Sequence, residues 1–353
     1  MFNSVNTRSC GAFAGKLMIH QVQRSRPKAS VFWINYNSMH IIDIVKRSLD
    51  AIAKLDYPCF QLIVVDNGSN DGSREVIEEY LTCMSAYGLN TKIVRLARNW
   101  GFAGGVNAAY RAMDRDTKFI AIVNNDAIPK SDYLTNLITF LDEHEDVGAV
   151  QGVVTKLHQN SLVDSAGGFL DEVLNLHFPF LRKPTDLIRQ PTFVSYVEGT
   201  MPVYAVEAIR SALSDNNNMF ITVGFMYYLE DVFLSLMLWS HGYKCVVLPL
   251  ITGEHYRMAT ITKFSESIHL SYYTLRNYIA LLCVTNSRAK AMTILRYLRR
   301  LVISKAGSTK RKMVLNALID GMKLGKELRK TYGIIDLHRV PMLKTRVRDI
   351  VKL

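Results

Sequence analysis

Short apolar runs recur along the chain, each followed by a segment with helical spacing. The runs are SVFWINY (30–36), FQLIVV (60–65), TKIVRL (91–96), KFIAIVN (118–124) and VGAVQGVV (147–154). Between the first two, Ile41, Val45, Leu49, Ile52 and Leu55 recur at intervals of three or four residues, the period of one helix face. REVIEEYLTCM, GGVNAAYRAMDR and PKSDYLTNLITFLDEH are helical as well, the last opening with Pro129 near a helix start. Strands that alternate with helices of this length form βαβ units, so the expected fold is α/β with a mostly parallel central sheet flanked by helices. The region 155–200 breaks the pattern with AGG at 166–168 and prolines at 179, 184 and 191, and reads as an insertion or a short antiparallel excursion. Regularity returns with VYAVEAIRSAL, a helix EDVFLSLMLWSHG and a strand YKCVVLP, and beyond Ser265 the pattern is helical to near the end.

Composition sets bounds on function. The 353 residues are 49% hydrophobic and 21% charged, enough to bury a substantial core. No stretch of about 18 apolar residues occurs, so no spanning helix is expected. The five cysteines are scattered without a C-x-x-C pair, which fits a reducing compartment and argues against a zinc knuckle or a disulfide framework. The first 29 residues lack a continuous apolar core and read as a poorly ordered leader rather than a signal peptide. Charge is uneven. Residues 288–353 hold 18 Lys and Arg against 4 Asp and Glu, while the remainder holds 25 against 27. A near-neutral body therefore carries a basic end suited to an anionic surface.

Ligands of open parallel sheets bind beyond the carboxyl ends of the strands. Three strand ends here carry amides and carboxylates: Asn35-Tyr36-Asn37, Asp66-Asn67-Gly68 and Asn124-Asn125-Asp126. Parallel strands would place all three on one edge. The loop NWGFAGGVN (Asn99–Asn107) lies between the third strand and the next helix, where Gly104 and Gly105 allow close backbone approach and the helix start favours an anion. It is neither a G-x-G-x-x-G fingerprint nor a Walker loop. Asp126 is either a helix-capping carboxylate before Pro129 or an oxygen ligand for a hard cation such as Mg²⁺ or Mn²⁺. Glu230 and Asp231 are either first-turn acids complementing the helix dipole or acids facing a cleft, one of them a base. His255, just past a strand, is either structural or a metal ligand.

In order, VFWINYNS, LIVVDNGSNDGS, NWGFAGGVN, IVNNDAIP, GFMYYLED and HGYKCVVLP resemble the motifs of a family 2 glycosyltransferase with the GT-A fold, nearest its rhamnosyltransferase-like branch. The resemblance covers roughly residues 30–280 and implies the following roles. Tyr36, Asn37 and Asp66 hold the nucleotide of a sugar donor, with Asn99, Gly104, Asn107 and Asn124 beside it. Asp126 ends the element matching Asp-X-Asp and binds a divalent metal, Mg²⁺ or Mn²⁺, with His255 completing the site. Asp231 is the general base and Glu230 faces the acceptor. Asn124 stands where Asp-X-Asp has its first acid, which leaves the metal to Asp126, His255 and the donor diphosphate. MFITVGF lacks the acid usually found before the Glu-Asp helix.

The implied organisation is a leader (1–29), a GT-A catalytic domain (30–264, its nucleotide-sugar half 30–154 and acceptor half 155–264) and a helical basic region (265–353). The implied reaction moves a sugar from a UDP- or dTDP-sugar to a hydroxyl of a glycan or lipid-linked saccharide, with inversion. Two other classes compete. A nucleotidyltransferase would share the sheet and metal, but the first strand leads to NYNSMH rather than a basic glycine-rich loop. A non-catalytic protein binding an anionic surface would explain the basic end but not the strand-tip acids. Within that end, AMTILRYLRRLVIS places Ile294, Leu295, Leu298, Leu301 and Val302 along one stripe, with Arg296, Arg299 and Arg300 off it. This is either a helix packed on the body or an interfacial helix at a membrane. Nucleic acid is not the expected partner, because the arginines lack interleaved aromatics. The expected location is the cytoplasm, either free or peripheral at the inner face of the cell membrane.

Overall fold

The computed structural model describes residues 26–85, 88–213, 217–220, 228–257, 268–303 and 307–344. Most of the expected leader, residues 1–25, and most of MFITVGF lie outside the described residues. The first half runs β1 (Ala29–Asn35), α1 (Ile42–Ala53), β2 (Phe60–Asp66), α2 (Ser73–Ser85), β3 (Thr91–Arg95), α3 (Gly101–Ala112), β4 (Phe119–Asn124), β5 (Ala127–Pro129), α4 (Tyr133–Glu143) and β6 (Val147–Lys156). Then follow β7 (Gln159–Ser165), β8 (Phe169–Asp171), β9 (Leu176–His177), β10 (Thr192–Phe193), β11 (Val203–Ala205), α5 (Val206–Ala212), α6 (Glu230–Ser240) and β12 (Lys244–His255). The C-terminal part is α7 (Ile268–Val284), α8 (Lys290–Ile303), α9 (Ser308–Tyr332) and β13 (Met342–Leu343).

The main sheet has the order β10-β12-β6-β11-β4-β1-β2-β3. β4, β1, β2 and β3 pair in parallel, as do β12 and β6. β11 enters antiparallel between β4 and β6. Both faces are covered, which is why the strands read as unbroken apolar runs. Val31, Trp33, Leu62 and Val64 face one core with Val45 and Leu49 of α1 and Leu137 and Ile138 of α4. Phe32, Ile63 and Val65 face the other, with Val106 and Ala109 of α3 and Phe233 of α6. The region 155–200 is the antiparallel excursion: β7 returns along β6, and β8 pairs with β9.

Two local expectations are corrected. Pro129 does not start a helix. It ends β5, which pairs with Gly253–His255 of β12, while α4 begins at Tyr133. Proline fits there because β5 is a short edge segment that does not need every backbone donor. The glycine stretch is not a loop before a helix, since α3 begins at Gly101 and contains Gly104 and Gly105.

The basic end packs on the body. α9 lies along α7, and glycines permit the close approach: a Cβ at Gly325 would fall 2.4 Å from Cys283 Cβ. The Tyr332 ring meets Phe233 of α6 at 5.8 Å between centroids. Asn277 of α7 donates to the Tyr228 carbonyl, just before α6.

Candidate active site

Strand register brings the polar tips together. Asn35 pairs with Asp66, and Ile34 with Asn124, so three chain segments end within one residue of a common line. Tyr36, Asn37 and Asp66 thus share one corner. The Asn35 amide donates to Asp66 Oδ1 at 3.1 Å, and the Ser69 backbone N–H donates to Asp66 Oδ2 at 3.1 Å. Asn37, at φ 47°, accepts from the Asn70 N–H through Oδ1. Asn67 fastens the next turn: its Nδ2 donates to Asn99 Oδ1 and to the Gly101 carbonyl, and its Oδ1 accepts from Trp100 N–H.

Asn107, expected beside a donor, is turned inward instead, and the glycines before it are close-packed. Gly104 and Gly105 are packing glycines, where a Cβ would lie 2.4 Å from Trp100 Cβ and 2.7 Å from Ile34 Cγ2 respectively. Asn107 is fully buried at 0% exposure. Its Oδ1 accepts from the Met219 and Phe220 N–H groups at 3.0 and 2.8 Å, and its Nδ2 donates to the Phe220 carbonyl at 2.6 Å. Asn107 lies in the second turn of α3, past its N-terminus, on the face that packs against the body.

Asp126 does not cap α4, whose N-cap position is Asp132. The β5–β12 pairing sets Ala127 opposite His255 and so brings Asp126 to the histidine. His255 Nε2 lies 3.0 Å from Asp126 Oδ1, and Nδ1 lies 2.8 Å from Asp164 Oδ2. Burial lowers the affinity of this imidazole for its proton, but Asp126 and Asp164 outweigh that and raise it to about 9. The nearby Asn124 Oδ1 is a buried acceptor with no partner, a cost a folded chain rarely leaves without use.

Among the described residues no group of three or more His, Cys, Asp or Glu forms a metal cage. A divalent ion that displaces the proton between His255 Nε2 and Asp126 would meet one carboxylate oxygen and one imidazole nitrogen, with Asp164 orienting the ring from behind. That donor set fits a divalent ion that takes the rest of its shell from phosphate oxygens and water, and the carboxylate behind the histidine is the usual support of such a ligand.

A third cluster faces these two. Tyr228 and Leu229 both adopt left-handed backbone, φ 62° and 72°, and turn the chain so that Glu230 and Asp231 open α6 directly. Asp231 Oδ2 accepts from Gly199 N–H at 3.1 Å, and Oδ1 from Val232 N–H at 2.8 Å. Burial, and then the charge of Asp231, push Glu230 up to about 8, and its Oε2 is buried without a partner. Burial raises Asp231 too, opposed by its two backbone donors. Adjacent carboxylates in a poorly solvated site separate their affinities, and the backbone N–H groups of Gly199 and Val232 make Asp231 the one of the pair that gives up its proton more readily.

Residues not singled out in the sequence link these clusters. Arg257 approaches Asp164 at 3.6 Å and Glu198 at 3.4 Å. Glu198 accepts from Ser165 Oγ and Ala166 N–H, and burial raises it to about 7 against the pull of Arg257. Gly199, next in the chain, supplies the N–H that holds Asp231. The path Asp126–His255–Asp164–Arg257–Glu198–Gly199–Asp231 is thus continuous. Arg257, two residues past His255, was within reach of sequence reading. Asp164 and Glu198 carry no local signal.

A family model described as glycosyl transferase family 2 matches residues 30–211. Over 214 residues the chain is 24% identical to a probable glucomannan 4-beta-mannosyltransferase 1 of Arabidopsis thaliana, covering 60% of this chain and 36% of that one. Over 120 residues it is 31% identical to the poly(ribitol-phosphate) beta-N-acetylglucosaminyltransferase TarS of Staphylococcus aureus, covering 33% and 19%. The chain therefore spans about a third or less of these curated relatives. Among solved structures, GalNAc-T7 with UDP, GalNAc and Mn²⁺ aligns with a TM-score of 0.60 at 14% identity, covering 88% of this chain and 59% of that one. S. aureus TarS aligns with a TM-score of 0.53 at 18% identity, covering 84% and 49%. At these identities the likeness is one of fold, the GT-A arrangement of a mostly parallel sheet flanked by helices.

Proposed function

The chain belongs to glycosyl transferase family 2, and from that premise we propose that it moves a sugar from a nucleotide-sugar donor to an acceptor hydroxyl by metal-assisted single displacement with inversion. One observation carries the proposal: a single polar network joins the Asp126–His255 pair to the Asp231 carboxylate.

Tyr36, Asn37 and Asp66 would receive the nucleoside at the corner of β1 and β2. Asp126 and His255 would hold a divalent ion, which when bound neutralises the donor diphosphate as it leaves. Asp231, held by two backbone N–H groups, would accept the proton of the attacking hydroxyl at one of its oxygens. Inversion is supported by what the other carboxylates do. Glu230 retains its proton near neutrality, and Glu198 is engaged by Ser165, Ala166 and Arg257. Neither presents an ionised, unengaged oxygen to form a covalent sugar intermediate.

The rhamnosyltransferase-like branch rests on motif order alone, and the relatives are named for mannosyl and N-acetylglucosaminyl transfer. The acceptor we favour is a glycan or lipid-linked saccharide. A panel of UDP-, dTDP- and GDP-sugars, read by thermal shift with Mn²⁺ and with EDTA, tests the reading. At least one donor is expected to stabilise the protein in Mn²⁺ and to lose that effect in EDTA and in Asp126→Ala. No shift with any donor would count against it.

A further inference from the structure

The basic C-terminal helices carry a feature that the cleft does not use. α9 buries Ala317, Leu318, Gly321, Leu324, Gly325 and Leu328. Away from that face, Leu315 is 44% exposed, and Ile319 and Met322 are each 38% exposed. At about 100° per residue these three form one narrow row. Arg311, Lys312, Lys323, Lys326, Arg329 and Lys330 fall within about 80° of it, at its ends and alongside. The two acids of the helix, Asp320 and Glu327, fall outside that arc.

α8 has a shorter version, and it corrects the expected stripe. Ile294 and Tyr297 pack against the main core and Thr293 is buried. Leu295 is 65% exposed, and Met292, Leu298 and Arg299 are exposed with it. The side chains of Leu301 and Val302 lie outside the described residues. Over both helices the sequence has 11 Lys and Arg against 2 Asp and Glu.

A packed helix usually turns polar residues to water. Here the outward face alternates apolar side chains with cations. That combination suits the headgroup zone of an anionic bilayer, where apolar side chains enter the acyl boundary and Lys and Arg stay with the phosphates. We infer that the outward faces of α8 and α9 dock this protein on an anionic lipid surface. Each cation near such a surface raises binding roughly fivefold. Nucleic acid would gain from the charge but would leave the Leu, Ile and Met rows without a partner, because it stacks on aromatic side chains. Among the described residues no helix is long and apolar enough to cross a membrane, and the docking is superficial. α9 packs on α6 through Tyr332 and Phe233, so the helix that opens with Glu230 and Asp231 rests on the docking helices, and a lipid-linked acceptor would be held at the same surface as the enzyme. That last step rests on the transferase reading.

Flotation of the full chain tests the surface without donor or turnover, so its outcome is independent of the reaction. The probes are vesicles of phosphatidylcholine alone and vesicles of phosphatidylcholine with phosphatidylglycerol, at low and high salt. Binding is expected only with phosphatidylglycerol and is expected to weaken in high salt. Leu315→Asp with Ile319→Asp is expected to weaken it roughly tenfold or more while leaving the thermal melt unchanged. Lys323→Glu with Lys326→Glu is expected to weaken it at low salt. Equal recovery in the soluble fraction with both vesicle types would overturn the inference. So would unaltered binding by the Asp variant, or tighter binding to a single-stranded oligonucleotide than to the anionic vesicles.

Discussion

Glu230 and Asp231 are neighbours in the chain, and the wall around them solvates one charge better than two. The folded value of Glu230, about 8, lies above its ordinary 4.5 because of burial and then the charge of Asp231. The folded state therefore binds this proton more tightly than the unfolded state. Its contribution to stability is fully present below about pH 4.5 and is lost as pH rises towards 8, by up to roughly 1.4 kcal/mol per pH unit. Glu230→Gln keeps the neutral shape at every pH. Urea melts between about pH 5 and pH 8 should show a shallower decline for this variant than for the wild type. Equal declines would mean that Glu230 is ionised in the fold. Asp164 makes a separate residue-scale prediction. If it orients a metal-ligating His255, Asp164→Asn should weaken Mn²⁺ binding by about 10- to 100-fold in calorimetry, with the fold retained. An unchanged affinity would reduce Asp164 to a structural partner.

α3 shows how packing fixes an element beside a site. Gly105 lets it lie against Ile34 of β1, and Asn107 ties it to the backbone at 219–220. Asn107→Ala would leave two N–H groups and a carbonyl without their partner, at a cost of about 2–4 kcal/mol. Denaturant melts should show that loss, with donor affinity of the folded fraction unchanged. A weakened donor with undiminished stability would restore Asn107 to the donor site. The helices and long strands were legible because each repeats one period over several residues: β1, β2 and β4 as doubly buried runs, α1 as a single buried stripe. β5 and β11 were not, at three residues each. Motif order brought Asp126, His255 and Asp231 forward. The residues that connect them come from a segment without periodicity, and they meet their partners across 91 positions for Asp164–His255 and 59 for Glu198–Arg257. No local pattern carries such a contact; only the sheet register does.

At the scale of the molecule, two surfaces with different charge are held by one scaffold. The body, near neutral over residues 1–287, places Asp66 and Asp126 at the carboxyl edge of the sheet, and the basic helices attach to α6, which opens with Glu230 and Asp231. The arrangement makes sense if donor diphosphate and acceptor approach the same cleft from different sides, with Asp231 between them. The most direct measurement is the pair of values, transfer rate and donor affinity, for Asp231→Asn with the donor identified by thermal shift. A general base acts on the acceptor proton and not on the donor, so transfer should fall by about 10²–10⁴ while donor affinity stays within a factor of about two. Near-full transfer by the Asn variant would contradict the assignment of this cleft as the catalytic centre.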